Sequence, residues 1–155
     1  MPFTEDILCT MILFYEVGTA VLMVILTLWL QSAGLAALIL WVRRALARDL
    51  HRLGPFRSTA LVVQLTTAVI VLHGGLILFW AGCHRSLCLP SWESALYFSA
   101  SSYATMGYGE VALPGSRRML GPLESIIGVL MCGMSVIILF ATVTRLVSRE
   151  VRSSH

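Results

Sequence analysis

Apolar residues along the chain fall in long blocks separated by short polar stretches. Val17–Val42 is a run of 26 residues without formal charge, and Ser58–Cys83 is a second of 26, interrupted only by the titratable His73. Met119–Thr144 is a third, carrying only Glu124 near its start. A helix rises about 1.5 Å per residue and the hydrocarbon core of a bilayer is about 30 Å thick, so each block is long enough to span it. Between the second and third blocks, Ser91–Tyr103 has room for only about three helical turns. Ser91 is placed to cap it, with Trp92 and Glu93 in the first turn. It leads into Thr105-Met106-Gly107-Tyr108-Gly109. A short apolar helix followed by a glycine-rich strand is the pattern of a re-entrant segment, tolerated at membrane depth only where it is buried in protein or lines a cavity.

The expected architecture is an all-α membrane protein with three transmembrane helices, a re-entrant pore helix and a filter-like segment. Apolar character begins near Ile7, and one helix from Ile7 to Val42 would be roughly 54 Å long. A break or interfacial turn is therefore expected around Glu16–Gly18, making 1–16 an outer extension and 17–42 the first span. An Arg-rich linker over 43–57 turns at Gly54-Pro55. A core domain over 58–146 then holds spans 58–83 and 119–146 and the re-entrant segment 91–110, and a tail covers 147–155.

Composition agrees: 57% of the 155 residues are hydrophobic and 12% charged, with a mean hydropathy of +0.84. Soluble domains average about 25% charged, and disorder requires low hydrophobicity. The net charge of +3 comes from 11 basic residues, all Arg, against 8 acids. They flank the apolar blocks and do not interleave with aromatics, so they read as an orientation signal and not as a nucleic-acid surface. Arg43, Arg44, Arg48, Arg52 and Arg57 in the linker and Arg145, Arg149 and Arg152 at the C-terminal end outnumber Arg85, Arg117 and Arg118. The excess puts the linker and C-terminus on the cytoplasmic side and the N-terminus outside. With Glu5 and Asp6 and no basic residue before the first block, that block is expected to be retained and not cleaved.

The chemistry resides in Thr105–Gly109. Alternating glycines permit backbone conformations closed to other residues, so successive carbonyls can face one side. Four such strands about an axis would stack rings of carbonyl oxygens that replace the hydration shell of a monovalent cation, with the Thr105 hydroxyl as a further ring. The negative C-terminal end of the short helix favours a cation nearby.

The segment SALYFSASSYATMGYGE, Ser94–Glu110, resembles the pore helix and selectivity filter of tetrameric potassium channels, which commonly end in TVGYGD. The wider layout, with its extra N-terminal helix, Arg-rich linker and LGPLESIIG opening of the last helix, is similar to small bacterial ion-channel proteins of that family. The resemblance implies that Thr105, Met106, Gly107 and Tyr108 supply K⁺-binding oxygens, Gly109 ends the filter, and Glu110 stands at the outer mouth in place of Asp. It implies a homotetramer in a plasma membrane, with K⁺ as permeant ion and no cofactor. Met106 replaces Val or Ile, Ala104 a frequent Thr, Tyr97 and Phe98 a frequent Trp pair, and Ser101 a Glu found in some bacterial channels. Two other readings stay open: a weakly selective cation channel, and a non-conducting accessory subunit. An enzyme is not expected, because no nucleophile–base pair or metal-ligand set stands out.

Tyr97, Ser101 and Glu124 are candidate filter supports. Glu124 has two readings: a bond to the back of the pore helix or to the Tyr97 hydroxyl, or a headgroup-level site near Arg117 or Arg118. Gly128, Met131, Cys132, Ser135, Leu139 and Thr142 share helical spacing and suit either an inner cavity wall or helix packing, with Gly128 or Gly133 as a gating hinge. His73 reads as an interhelical hydrogen-bonding group or as a pH-sensing one, Gln31 as interhelical, and Glu16 as interhelical or interfacial. Cys83 and Cys88 are spaced to permit a disulfide; Cys9 and Cys132 read as buried apolar residues.

Overall fold

A computed structural model describes residues 2–48 and 55–153 of the protein. The elements are α1 (Pro2–Arg48), α2 (Pro55–Leu87), α3 (Trp92–Tyr103), a 3₁₀ turn (Gly115–Arg117) and α4 (Leu120–Ser153), with no strand among the described residues. Three stretches are long and apolar enough to cross a membrane: Phe14–Ala45, Ser58–Leu87 and Leu120–Ser148. The protein is an all-α membrane protein. Part of the 43–57 linker and the end of the 147–155 tail lie outside the described residues, as does the side chain of Cys9.

The break expected around Glu16–Gly18 is absent. α1 continues through it for 47 residues, about 70 Å of helix. A lone Gly costs a helix only about 1 kcal/mol, and nothing else in the segment opposes the helix. The Thr19 hydroxyl also closes on the Tyr15 carbonyl one turn back, at 2.6 Å. α2 begins on Pro55, whose missing N–H is harmless in a first turn. It runs past Cys83 to Leu87, so His84 belongs to the helix and not to the polar stretch that follows.

The chain divides into two compact units. The unit formed by Met1–Leu30 and Leu76–Leu130 packs Ala20, Ala81, Leu89, Ala95, Leu113 and Leu120 into a core, with Cys88, Phe98, Val111 and Leu123 around it. Three of the six core residues are Ala, because spanning helices, without a hydrophobic drive toward one another, gain from close approach. Cys83 and Cys88 are both free thiols.

The other unit, Gln31–Gly75 with Met131–His155, has a core of Val42, Leu65 and Leu146. Its polar centre is Ser135. Gln31 Nε2 donates to Ser135 Oγ at 3.2 Å, His73 Nε2 lies 3.0 Å from the same oxygen, and Ser135 donates to the Met131 carbonyl at 3.1 Å. One hydroxyl thus ties α1 and α2 to α4, and His73 and Gln31 are the interhelical groups their sequence positions suggested. Met131, Ser135 and Thr142 are buried within the chain and Leu139 packs on its unit's core, so these positions follow the packing reading. Cys132 is exposed, not buried. Trp29, Ile137 and Phe140 are also largely exposed, as side chains facing lipid or another chain can be.

Candidate functional site

α3 starts where its sequence said it would. Ser91 has extended backbone, and its Oγ accepts from the Ser94 amide at 3.1 Å, satisfying one of the free N–H groups of the first turn. Glu93 sits in that turn, where the helix dipole favours an acid. Ala95, Ser99, Ser102 and Tyr103, spaced at i, i+4, i+7 and i+8, form the buried face.

That face is fastened by polar groups. Glu124, fully buried on α4, accepts from His84 Nε2 at 2.9 Å through Oε2, and its Oε1 is hydrogen-bonded to the Ser99 hydroxyl. Ser99 Oγ also lies 3.0 Å from the Ile77 carbonyl of α2. The imidazole of His84, itself fully buried, stands edge-on to Phe98 with ring centroids 5.0 Å apart. Glu124 therefore takes the first of its two readings, the back of the pore helix, through Ser99 and not through Tyr97. One turn further, Ser125 Oγ donates to the Ser102 carbonyl at 2.7 Å.

Gly128 explains how close α4 comes. A Cβ there would collide with the Tyr103 carbonyl oxygen and lie 3.1 Å from its carbon. Gly128 is a contact point between α4 and the end of α3. Gly133 has open space around it.

After Tyr103 the chain leaves the helix with an alternating backbone. Thr105, Gly107 and Gly109 have φ of 59°, 55° and 78°, and no other described residue has positive φ. Met106 and Tyr108 between them keep ordinary negative values. Alternation of hand along a strand is what turns successive carbonyls toward one side. Two of the three positions carry glycine, which adopts this region freely. Thr105 is β-branched and strained there, at a cost on the order of 1–3 kcal/mol.

The strain is held by the helix end. The Thr105 amide donates to the Ser102 carbonyl at 2.9 Å, and Met106 and Gly107 both donate to the Ser101 carbonyl, at 2.8 and 3.3 Å. Ser101 supports the segment through its backbone; its hydroxyl is committed to the Phe98 carbonyl at 2.9 Å. On the far side, the Tyr97 hydroxyl donates to Glu110 Oε2 at 2.8 Å, and its ring stacks on Tyr108 with centroids 6.3 Å apart. The Tyr97 phenol is held above its ordinary value, chiefly by that hydrogen bond to Glu110. Between the segment and α4 lies a cleft of about 460 Å³, lined by Ser101, Thr105, Gly107, Gly109 and Ser125 among others.

Comparison with known proteins bears on this geometry at one place. The family model described as an ion channel matches residues 62–145, more than half of the chain and all of the segment just described. The chain belongs to this ion-channel family. No curated protein and no solved structure matches it.

In the channel, the sequence-predicted residues Tyr97, Ser101, Thr105–Glu110 and Glu124 lie in the same compact unit. Sequence reasoning missed His84, Ser99 and the strain at Thr105. The signal for the first two was present: a His at the end of one apolar block, an acid at the start of the next, and a Ser on the helix between them. Ser99, Glu124 and His84 are the residue types of a hydrolase triad, but the carboxyl stands between hydroxyl and imidazole. The imidazole does not reach the hydroxyl, and all three side chains are sealed from solvent, so the trio reads as a fastening between helices.

Proposed function

We propose that the channel is potassium-selective and that four copies surround one conduction axis. The observation that carries this reading is the alternation of positive φ at Thr105, Gly107 and Gly109. Backbone of that kind lets the carbonyls of Thr105, Met106, Gly107 and Tyr108 and the Thr105 hydroxyl form stacked rings when repeated by symmetry. Such rings exchange for the water shell of K⁺, and adjacent ions drive one another forward by repulsion. Gly109 ends the filter, and the exposed Glu110 concentrates cations at its mouth. The dipole of α3 adds negative potential at the inner end, because its last carbonyls point toward the segment they hold. Gly133, with free space around it, is the hinge candidate on α4. The setting is a plasma membrane, with the N-terminus outside and the C-terminus cytoplasmic.

The test is K⁺ flux into liposomes holding the purified protein, with Gly107→Ala as the comparison. At φ +55° an added Cβ costs about 1–2 kcal/mol, and it acts on the filter backbone itself. Flux in the wild type and its loss in a variant that keeps the same oligomeric size is the expected result. Equal flux in both would remove the filter assignment. Reversal potentials in mixed K⁺ and Na⁺ separate selective from unselective conduction.

A further inference from the structure

Away from the filter, the unit Met1–Leu30 with Leu76–Leu130 carries a groove of about 350 Å³. Its walls are almost wholly apolar: Ala20, Val21, Val24 and Ile25 from α1, and Leu120 and Leu123 from α4. Only two charged side chains line it, Glu16 and Arg117. Both lie at span ends: Glu16 is two residues inside the start of Phe14–Ala45, and Arg117 three residues before Leu120–Ser148 begins. Residues at the ends of spans stand near headgroup level. Glu16 Oε1 is shielded from solvent, and no partner reaches it among the described residues. The Arg117 guanidinium sits 6.0 Å from the Tyr15 ring centre, beside the same opening.

A buried carboxylate oxygen without a donor is costly, and its neighbourhood asks for a cation that can hydrogen-bond. A guanidinium beside it asks for an anion, best a phosphate. An apolar trough running from both toward the membrane interior asks for a hydrocarbon chain. We propose that this groove binds one phosphatidylethanolamine. Its primary ammonium donates to Glu16, its phosphate lies on Arg117, and one acyl chain fills the trough between α1 and α4. The choline headgroup has the same charges but no N–H, so it cannot satisfy Glu16 Oε1. A glycerol headgroup brings no cation. The groove thus distinguishes ethanolamine from choline by hydrogen bonding and not by net charge, and either from glycerol by the missing cation. This site is independent of the conduction reading above.

The test is native mass spectrometry of the purified full chain in neutral detergent. Phosphatidylethanolamine, phosphatidylcholine and phosphatidylglycerol with identical acyl chains are supplied in equal amounts. Wild type is expected to retain the ethanolamine lipid about tenfold over the choline lipid, the scale of one charge-assisted hydrogen bond. Glu16→Gln is expected to erase that preference. Arg117→Gln is expected to lower retention of both, whereas Arg118→Gln, the same charge change on a residue that does not line the groove, leaves both unchanged. Val24→Trp fills the trough without touching either charge and is expected to reduce all three lipids. Equal retention of the ethanolamine and choline lipids by wild type overturns the proposal, as does an unchanged preference in Glu16→Gln. Cross-linking of Val21→Cys to a second copy in lipid-replete membranes would show that another chain fills the groove, and would overturn it too.

Discussion

The two glycines of α4 predict opposite responses to the same substitution. At Gly128 a Cβ meets the Tyr103 carbonyl oxygen and lies 3.1 and 3.3 Å from its carbon and Cα. These are backbone atoms at the end of α3, so no side-chain rotation relieves the contact. Overpacking costs about 1–3 kcal/mol, and a rigid partner puts Gly128→Ala at the upper end. Helix propensity returns about 1 kcal/mol, because Ala is the better helix former. The net expectation is destabilisation by about 2 kcal/mol. At Gly133 nothing lies within 4 Å. Gly133→Ala keeps only the propensity gain and is expected to stabilise by up to about 1 kcal/mol. Equilibrium unfolding in detergent, followed by tryptophan fluorescence, reads both changes; Trp80 is fully buried in the unit that contains Gly128. The two variants should differ by about 3 kcal/mol. Equal stabilities, or a stabilised Gly128→Ala, would refute the close approach of α4 to Tyr103. Flux adds a second reading. Gly128→Ala disturbs the residue two positions before Thr105, whereas Gly133→Ala stiffens the hinge candidate and is expected to lower open probability while raising stability.

A double-mutant cycle of His84→Gln and Glu124→Gln should show coupling of about 1 kcal/mol or more, since both groups are buried on one 2.9 Å bond and membrane-buried pairs reach about 1.7 kcal/mol; purely additive effects on unfolding would refute the His84–Glu124 bond. The Tyr97–Glu110 bond needs a protonated phenol, so it contributes fully below the ordinary phenol value near 10 and is lost only as pH rises through the raised folded value. Ultraviolet titration should accordingly show one phenol ionising later than the rest, absent in Tyr97→Phe; a Tyr97→Phe titration identical to wild type would refute it. Thr105→Gly relieves the strain at φ 59° but deletes a hydroxyl, so it is expected to unfold later yet conduct less, whereas Thr105→Ser keeps conduction; flux and unfolding measured on both variants check the split.

What the sequence made legible was whatever depends on length and periodicity. Three charge-poor blocks long enough to span a bilayer became three spanning helices, and Ser91 before Trp92-Glu93 marked the start of α3 to the residue. The left-handed backbone at Gly107 and Gly109 was legible because two glycines at a two-residue interval permit conformations closed to other residues. The misreadings have one physical origin: local signals do not report what packs against them. Glu16 and Gly18 were read as a break, yet the helix absorbs both for little cost. His84 lies just past the charge-poor block Ser58–Cys83 and so outside that expected span, although Glu124, forty positions away, holds it inside. Gly128 and Gly133 look alike in a sequence and differ only because Tyr103 lies against one of them. Thr105 carries no sign of strain in its own identity, since its φ is imposed by Ser101 and Ser102.

The bonds around the proposed filter also show an asymmetry. Its first half, the inner one in the proposed orientation, is secured by backbone: the amides of Thr105, Met106 and Gly107 end on carbonyls of α3. Among the described residues, the amides of Tyr108, Gly109 and Glu110 have no such acceptor, and this half rests on the side chains of Tyr97 and Glu110. Short of proline, which has no N–H, a substitution leaves a backbone bond's donor and acceptor in place, whereas side-chain braces can be changed one residue at a time. Substitution at positions 97 and 110 is therefore expected to tune the outer half while leaving the inner half fixed. The substitutions of Tyr for Trp and Glu for Asp relative to the commoner pattern fall at these two positions. They make up a matched pair, because the phenol of Tyr97 reaches the carboxylate of Glu110 directly. In the proposed assembly, the inner half fixes which oxygens meet the ion, and the Tyr97–Glu110 pair sets how firmly the outer half is held.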